Sequence, residues 1–411
     1  MKNRSAIGAS GHQFRKKNIS KRVQKIVISP IKEMSILADI EAEKGKKNII
    51  SFGQGIPYFD TPEYIKTAAK KALNEIDTAK YTLEPGITEL RIRIGDELKK
   101  TKGIKNIKPK SEVMVSAGCQ EAVDCALASV IDPGDDVLLP EPAFASHIEQ
   151  ILQWGGRPVF VPLDEKSNWK LDISQCEKKI TKKTKAILFS NPSNPTGTVF
   201  EKKEIMELAK FAKKHDIIII SDETYDFLTY DKTKHFSPAS ISEIRDRVIL
   251  CGSFSKKYAM TGYRIGFAFA DSGIIDHMLK VHDALMICAP AISQKAAIAA
   301  LKGNQKTVKN FVEKLSENRD LMCKNLDDLS DHFEYQKPSG AYYIMVRYKK
   351  IKMDSFSLAL KILKEAKVVT IPGDAFGPSG KGHLRFSFAC SKGQIAEGFK
   401  RLKTWTKNYS K

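Results

Sequence analysis

The chain has 411 residues, 42% of them hydrophobic, and a formal net charge of +20. That length supports two or three domains around a large core, and no stretch approaches the roughly 18–20 apolar residues a membrane helix needs. The seven cysteines form no CxxC pair and the eight histidines no HxxxH or HExxH, so no metal and no disulfide framework is expected, and a reducing compartment fits.

The first element is a basic arm. Lys2, Arg4, Arg15, Lys16, Lys17, Lys21, Arg22 and Lys25 fall within residues 1–25, and the first acid is Glu33. The arm lacks the apolar core of a secretory signal. Its composition predicts a solvated, disordered tail; contact with an anionic polymer or lipid, or an organellar transit peptide, are the sharper alternatives. Phe14 is the only phenylalanine, tyrosine or tryptophan among these charges, and neither a nucleic-acid nor a membrane partner is expected; the protein is placed in the cytoplasm.

From about residue 60, helical stretches alternate with seven short apolar runs: Val113–Val115, Val137–Leu139, Val159–Val161, Ala186–Phe189, Ile217–Ile220, Val248–Cys251 and Ile265–Ala270. Segments such as Lys202–Lys214 carry helical periodicity between them. The alternation predicts a mostly parallel sheet covered on both faces, with ligands bound beyond the carboxyl ends of its strands.

The residues after each run therefore carry the functional reading. Ser116-Ala117-Gly118-Cys119 follows the first run and opens a helix, where backbone N–H groups can cradle a phosphate. Phe144, after the second run, is either core filler or a flat platform for a ring. The loop Ser190–Gly197 holds two Asn-Pro steps, which are turn chemistry first and also stiffen the backbone that carries Asn194. Asp222 follows four isoleucines, where a carboxylate either caps a helix or needs a buried partner; Tyr225 lies three residues on. Ser253-Phe254-Ser255-Lys256, with Arg264 eight residues later, brings hydroxyls and a guanidinium for a phosphate beside an amine. Burial and neighbouring positive charge would lower the pKa of Lys256 and suit it to form a Schiff base. A phosphate cradle, a ring platform, an anion, a phenol and an amine together match pyridoxal phosphate, a phosphorylated pyridine aldehyde.

Past residue 290 a Lys- and Glu-rich helical region (about 293–327) leads to YQKPSGAYYIMV, another helical stretch, VVTIPGDAFG and HLRFSFA. This predicts a smaller α+β domain formed by residues 26–58 and 293–411, beside a large cofactor-binding domain at 59–292 and the tail at 1–25.

GQGIPYFDTP (53–62), YTLEPGITELR (81–91), NPSNPTG (191–197), SDETYDFL (221–228), SFSKKYAMTGYRIGF (253–267), PSGAYYIM (338–345), IPGDAFG (371–377) and GHLRFSFA (382–389) recur in an order and spacing that resembles one family. From about Ser29 to its C-terminus the sequence is similar to the class I/II aminotransferases of the fold-type I pyridoxal-phosphate superfamily, in the prokaryotic-type aspartate and aromatic branch. The resemblance implies an α/β fold-type I transferase with a seven-stranded, mostly parallel sheet and a smaller α+β domain. It implies that Lys256 binds the cofactor aldehyde and then shuttles the proton, that Asp222 pairs with the pyridine nitrogen, and that Tyr225 and Asn194 hold the ring 3-hydroxyl. By the same resemblance Phe144 stacks on the ring, while Ser253, Ser255, Arg264, Gly118 and Cys119 hold the phosphate. Arg385 clamps the substrate α-carboxylate with help from Asn194 and Gly55, and Tyr81 reaches the phosphate of a neighbouring subunit in a homodimer.

The implied reaction moves the amino group of an L-amino acid (aspartate, alanine or aromatic) to a 2-oxo acid such as 2-oxoglutarate. A C–S lyase or another fold-type I reaction is the alternative, and an idle regulatory homologue a further one. One position departs from the aspartate-specific pattern. Cys119 stands where those relatives carry the lysine of GGKQA that reads a distal carboxylate, leaving Lys32 and Tyr58 as candidate replacements.

Overall fold

A two-residue strand β1 (Ile50–Ser51) precedes the seven strands of the central sheet: β2 (Val113–Ser116), β3 (Asp136–Glu141), β4 (Arg157–Pro162), β5 (Thr184–Ser190), β6 (Ile218–Asp222), β7 (Val248–Ser253) and β8 (Gly266–Phe269). The structure is a computed structural model that describes residues 19–26, 29–44 and 48–409. All seven predicted apolar runs are strands of one sheet, in the order β2-β8-β7-β6-β5-β3-β4. Successive side chains enter opposite layers: Val113, Val115, Ile187, Ile219 and Leu250 join one buried cluster, and Met114, Ala186, Leu188, Ile220 and Ile249 the other. Both faces are thus apolar, which is why these strands read as continuous runs.

The pairs from β4 through β7 are parallel, whereas β8 is antiparallel to both β7 and β2. The connection from β7 to β8 carries only a short 3₁₀ turn at Thr261–Tyr263, too little chain for a helical crossover. It turns back at the edge where β5 and β6 also end. β8 then enters with Gly266 opposite both Ser253 and Ser116. The reversal brings the segment around Lys256 against the turn that follows β2.

The remaining strands are β9 (Phe333–Tyr335), β10 (Tyr343–Tyr348), β11 (Val368–Val369), β12 (Ile371–Pro372) and β13 (His383–Ser387). Four of them form an antiparallel sheet in the order β12-β13-β10-β9. β1 pairs in parallel with β11, which ties the N-terminal stretch to the C-terminal part of the chain. The expected helical region at 293–327 is two helices, Ala291–Lys302 and Lys306–Asp327. The break falls at Gly303, where a side chain would strike the ring of Tyr64, and Asn304 Oδ1 accepts from Lys306 N at 2.8 Å to start the second helix. Residues 1–18 of the basic arm lie outside the described residues; Val23–Lys25 forms a 3₁₀ turn near helix Ala145–Gln153. No helix among the described residues is long and apolar enough to cross a membrane.

Gly266 marks the tightest joint of the sheet. A Cβ there would lie 2.6 Å from Cys119 N and Gly118 C and 2.8 Å from Gly252 O, all backbone atoms that cannot rotate away. Gly266→Ala should therefore destabilise the fold by about 2 kcal/mol or more, read as a lowered midpoint in urea unfolding, and should weaken anion binding at the adjoining turn.

Candidate active site

At the carboxyl edge of β5, β6 and β7 lies a cavity of about 240 Å³, and all but two of the predicted site residues line it; Tyr81 lies apart, and Gly118 belongs to the adjoining turn. One end is built for an anion. Helix Cys119–Val130 begins at Gly118, whose φ of 97° suits glycine, and a Cβ at that position would lie 2.5 Å from Arg264 Nη2. Arg264 donates to Thr261 O at 3.0 Å and to Ala117 O at 3.3 Å. Ser253 Oγ accepts from Ser255 N at 3.0 Å, so the β7–β8 connection presents two hydroxyls and a guanidinium beside the start of the helix. The positive end of the helix dipole adds to the same field.

The amine of Lys256 donates to Gly55 O at 2.5 Å. Burial, then the charges of Arg264 and Arg385, bring its pKa down to about 8, against an opposing pull from Asp222. Asp222 ends β6. Its Oδ2 lies 3.3 Å from His147 Nε2, and its Oδ1 accepts from Thr224 N at 3.0 Å and from the Cys119 thiol at 3.3 Å. Burial pushes this carboxyl up, but the hydrogen bonds and charge of His147, with those of Thr224, outweigh burial and hold it below its ordinary value. Residues 224–227 form a turn rather than a helix, so the helix-capping alternative for Asp222 does not hold.

Tyr225 shares a hydrogen bond of 2.8 Å with the Tyr343 hydroxyl, and burial pushes its phenol well above the ordinary value. Phe144 stands edge-on to His147 at 5.4 Å between ring centres. Arg385, in β13, is 1% exposed. Its Nη1 donates to Asn194 Oδ1 at 3.0 Å and its Nη2 to Gly53 O at 2.7 Å, while the guanidinium lies 4.4 Å over the Tyr343 ring. Its Nε has no partner, and no carboxylate among the described residues forms an ion pair with it. Burial accordingly pushes the group below its ordinary value. A buried cation in this state calls for an anionic ligand.

Three contributors were missed by the sequence reading. His147 and Thr224 hold Asp222, and Tyr343 both contacts Tyr225 and covers Arg385. Tyr343 lies within a recognised motif, whereas His147 had only its place three residues after Phe144 on the next helix. Tyr81 is 77% exposed, beside Cys288–Ala291. Neither Lys32 nor Tyr58 lines the cavity; Ile31 does, and the Cys119 thiol is turned towards Asp222. A larger hollow of about 640 Å³ beside helix Lys392–Tyr409 holds acid–base pairs such as Arg401–Glu397 and offers no comparable set of reactive groups.

These residues fit pyridoxal phosphate. The buried, ionised Asp222, the amine depressed to about 8 and the donor-lined turn at Gly118 supply a partner for the pyridine nitrogen, for the aldehyde and for the phosphate.

The profile described as aminotransferase class I and II matches residues 47–402. An aspartate aminotransferase of Pyrococcus abyssi is 39% identical over 372 residues, covering 90% of this chain and 94% of its own. Aromatic-amino-acid aminotransferase 2 of Thermococcus litoralis is 36% identical over 93% of this chain and 97% of its own. The solved alanine aminotransferase from Pyrococcus furiosus superimposes with a TM-score of 0.89 at 32% identity, covering 95% and 100% of the two chains.

With its pKa near 8, Lys256 should be the most readily acylated lysine of the cofactor-free protein at neutral pH. Its rate of modification by acetic anhydride, followed by peptide mass spectrometry, should rise with pH and level off above about 8, whereas surface lysines continue to rise towards their ordinary range of about 10.4.

Proposed function

The chain belongs to the class I and II aminotransferases and is a pyridoxal-phosphate-dependent aminotransferase, and on that premise we propose that it moves the amino group of L-aspartate, L-alanine or an aromatic amino acid to 2-oxoglutarate, with the cavity at the carboxyl edge as its active site. The observation that carries the substrate reading is the buried Arg385, which has hydrogen bonds but no counter-ion among the described residues. An α-carboxylate common to every donor and acceptor would supply that counter-ion. C–S lysis is not favoured, since the related proteins carry aminotransferase names.

When bound, pyridoxal phosphate supplies an electron sink that makes the donor Cα–H acidic. The protein's own groups do the rest. The N–H groups at Gly118 and Cys119, with Ser253, Ser255 and Arg264, bind the phosphate and fix the ring's position. Asp222, kept ionised by His147 and Thr224, holds a proton on the pyridine nitrogen. Phe144 supports one ring face, and Tyr225 with Asn194 orients the 3-oxygen. Lys256, whose pKa of about 8 gives it a neutral fraction close to physiological pH, would accept and return the proton at the donor Cα. Arg385 is held in one plane by Asn194, Gly53 and Tyr343, so an arriving carboxylate meets a preset guanidinium and Cα is oriented beside Lys256.

A second copy of the chain completes the phosphate site through Tyr81. Leu73, Ile76 and Leu83 near it are 64–79% exposed, an apolar surface suited to burial in a homodimer. Residues 59–292 form the cofactor-binding domain, and 26–58 with 293–411 the smaller one that brings Gly55 and Arg385. The seven cysteines are free, as fits the cytoplasm.

An absorption spectrum recorded while single amino acids are added to the holoenzyme tests the reaction directly. The cofactor band should change with a competent donor and return with 2-oxoglutarate; release of free ammonia, with no return of the band, would overturn the reading. Arg385→Ala should lower kcat/KM about two to three orders of magnitude for every donor alike, because the α-carboxylate loses a buried partner. Mixing inactive Tyr81→Ala and Lys256→Ala subunits should restore part of the activity, since one site of the mixed dimer then holds both groups. No restoration would place Tyr81 outside the partner's site.

A further inference from the structure

Behind the cavity, across the segment 222–226, lies a second cluster of buried charge that the reaction above does not use. Lys102 ends helix Thr88–Lys102, and its side chain is 3% exposed. Its Nζ lies 2.9 Å from Glu223 Oε2 and 2.5 Å from Asp226 Oδ2. Glu223 Oε1 accepts from Ser237 at 2.6 Å and from Ser221 at 3.1 Å, and His235 Nε2 lies 3.5 Å from Glu223 Oε2. From the β7–β8 connection, Lys257 donates to Glu97 of the same helix at 2.6 Å and covers the Tyr258 ring. Burial pushes Asp226 up, but Lys102, Lys257 and His235 together hold it low; burial also drives His235 down, towards its neutral form.

The segment therefore alternates. Asp222 and Tyr225 face the cavity, while Glu223 and Asp226 face the ammonium behind it. Lys256 and Lys257 divide in the same way. Stability alone is a weak reason for this arrangement, because a buried ion pair is often matched by well-packed apolar residues. We propose that Lys102 is a positioning residue of the reaction: it holds Glu223 and Asp226 from behind so that Asp222 and Tyr225 stand at the cofactor, and its charge offsets two carboxylates that would otherwise act on the site. The inference rests on the active-site assignment given above.

The test compares wild-type holoenzyme with Lys102→Met, Glu223→Gln and the triple variant Lys102→Met/Glu223→Gln/Asp226→Asn. The readouts are the pH titration of the bound cofactor's absorbance, kcat and KM for the amino donor, and the unfolding midpoint. Lys102→Met leaves excess negative charge behind the site, which favours protonated forms, so the absorbance midpoint should move up. Glu223→Gln should move it down, each by about half a unit. In Lys102→Met, kcat should fall about tenfold or more with KM changed less than about threefold. A lowered unfolding midpoint with kcat and titration as in wild type would overturn the proposal, leaving Lys102 a purely structural ion. If Lys102→Met does not fold, the triple variant, which leaves no unpaired buried charge, supplies the answer: reduced kcat in the folded protein supports positioning, and wild-type kcat overturns it. A wild-type titration that Lys256→Ala does not alter would instead overturn the active-site assignment.

Discussion

A sheet that is apolar on both faces leaves charge only one place to gather, its edge. Strands β5 and β6 are buried almost throughout, and the first acid that β6 carries is Asp222, at its last residue. The β7–β8 reversal then adds Lys256 and Arg264 at the same edge, and the small antiparallel sheet brings Arg385 over it. The site is thus a consequence of layer packing. Polar groups excluded from two hydrophobic layers meet in the one region where neither layer can cover them.

The charges gathered there do not balance. Lys256, Arg264 and Arg385 face a single ionised carboxylate, Asp222. In a partly buried space such an excess is costly for the protein alone: burial first, then the charges of Arg264 and Arg385, depress Lys256, and burial depresses Arg385. A phosphate at Gly118 and an α-carboxylate at Arg385 would restore the balance at the two ends of the cavity, with Asp222 left for the cationic ring between them. The excess of positive charge thus calls for anions at both ends of the cavity, while burial and that charge together bring the amine down to about 8.

Much of this was legible before any coordinates. All seven strands were legible, six of them because burial on both faces makes a run rather than an alternation, and strand ends pointed to Lys256, Asp222 and Arg264; the edge strand β4 is only half-buried. Direction was not legible: nothing in the pattern of Gly266–Phe269 says that it runs against its neighbours, since a side-chain period of two is the same either way. His147 and Tyr343 also stayed hidden, because their roles arise from contacts across 75 and 118 residues. Lys102, in a helix tail of four lysines among residues 99–105, reads as a solvated charge, and only packing reveals that it is buried. Tyr81 is a different case, an exposed residue whose proposed role depends on a second chain.

Cys119 shows how one departure from a family pattern acts on the charge of the site. A lysine at this position would add a further cation to a cavity that already sets Lys256, Arg264 and Arg385 against one carboxylate. The thiol instead lends a weak hydrogen bond at 3.3 Å, and burial and Asp222 keep its proton in place by raising its pKa well above the ordinary value. Asp222 thereby keeps its charge. Ile31, Val123, Gln120 and Gln150 line the same cavity, side chains that offer apolar area and amide dipoles. None of these four supplies a point charge, so they discriminate among ligands by shape and weak polarity. The thiol at 119 thus leaves Asp222 its charge and adds no cation of its own to a cavity that already holds three.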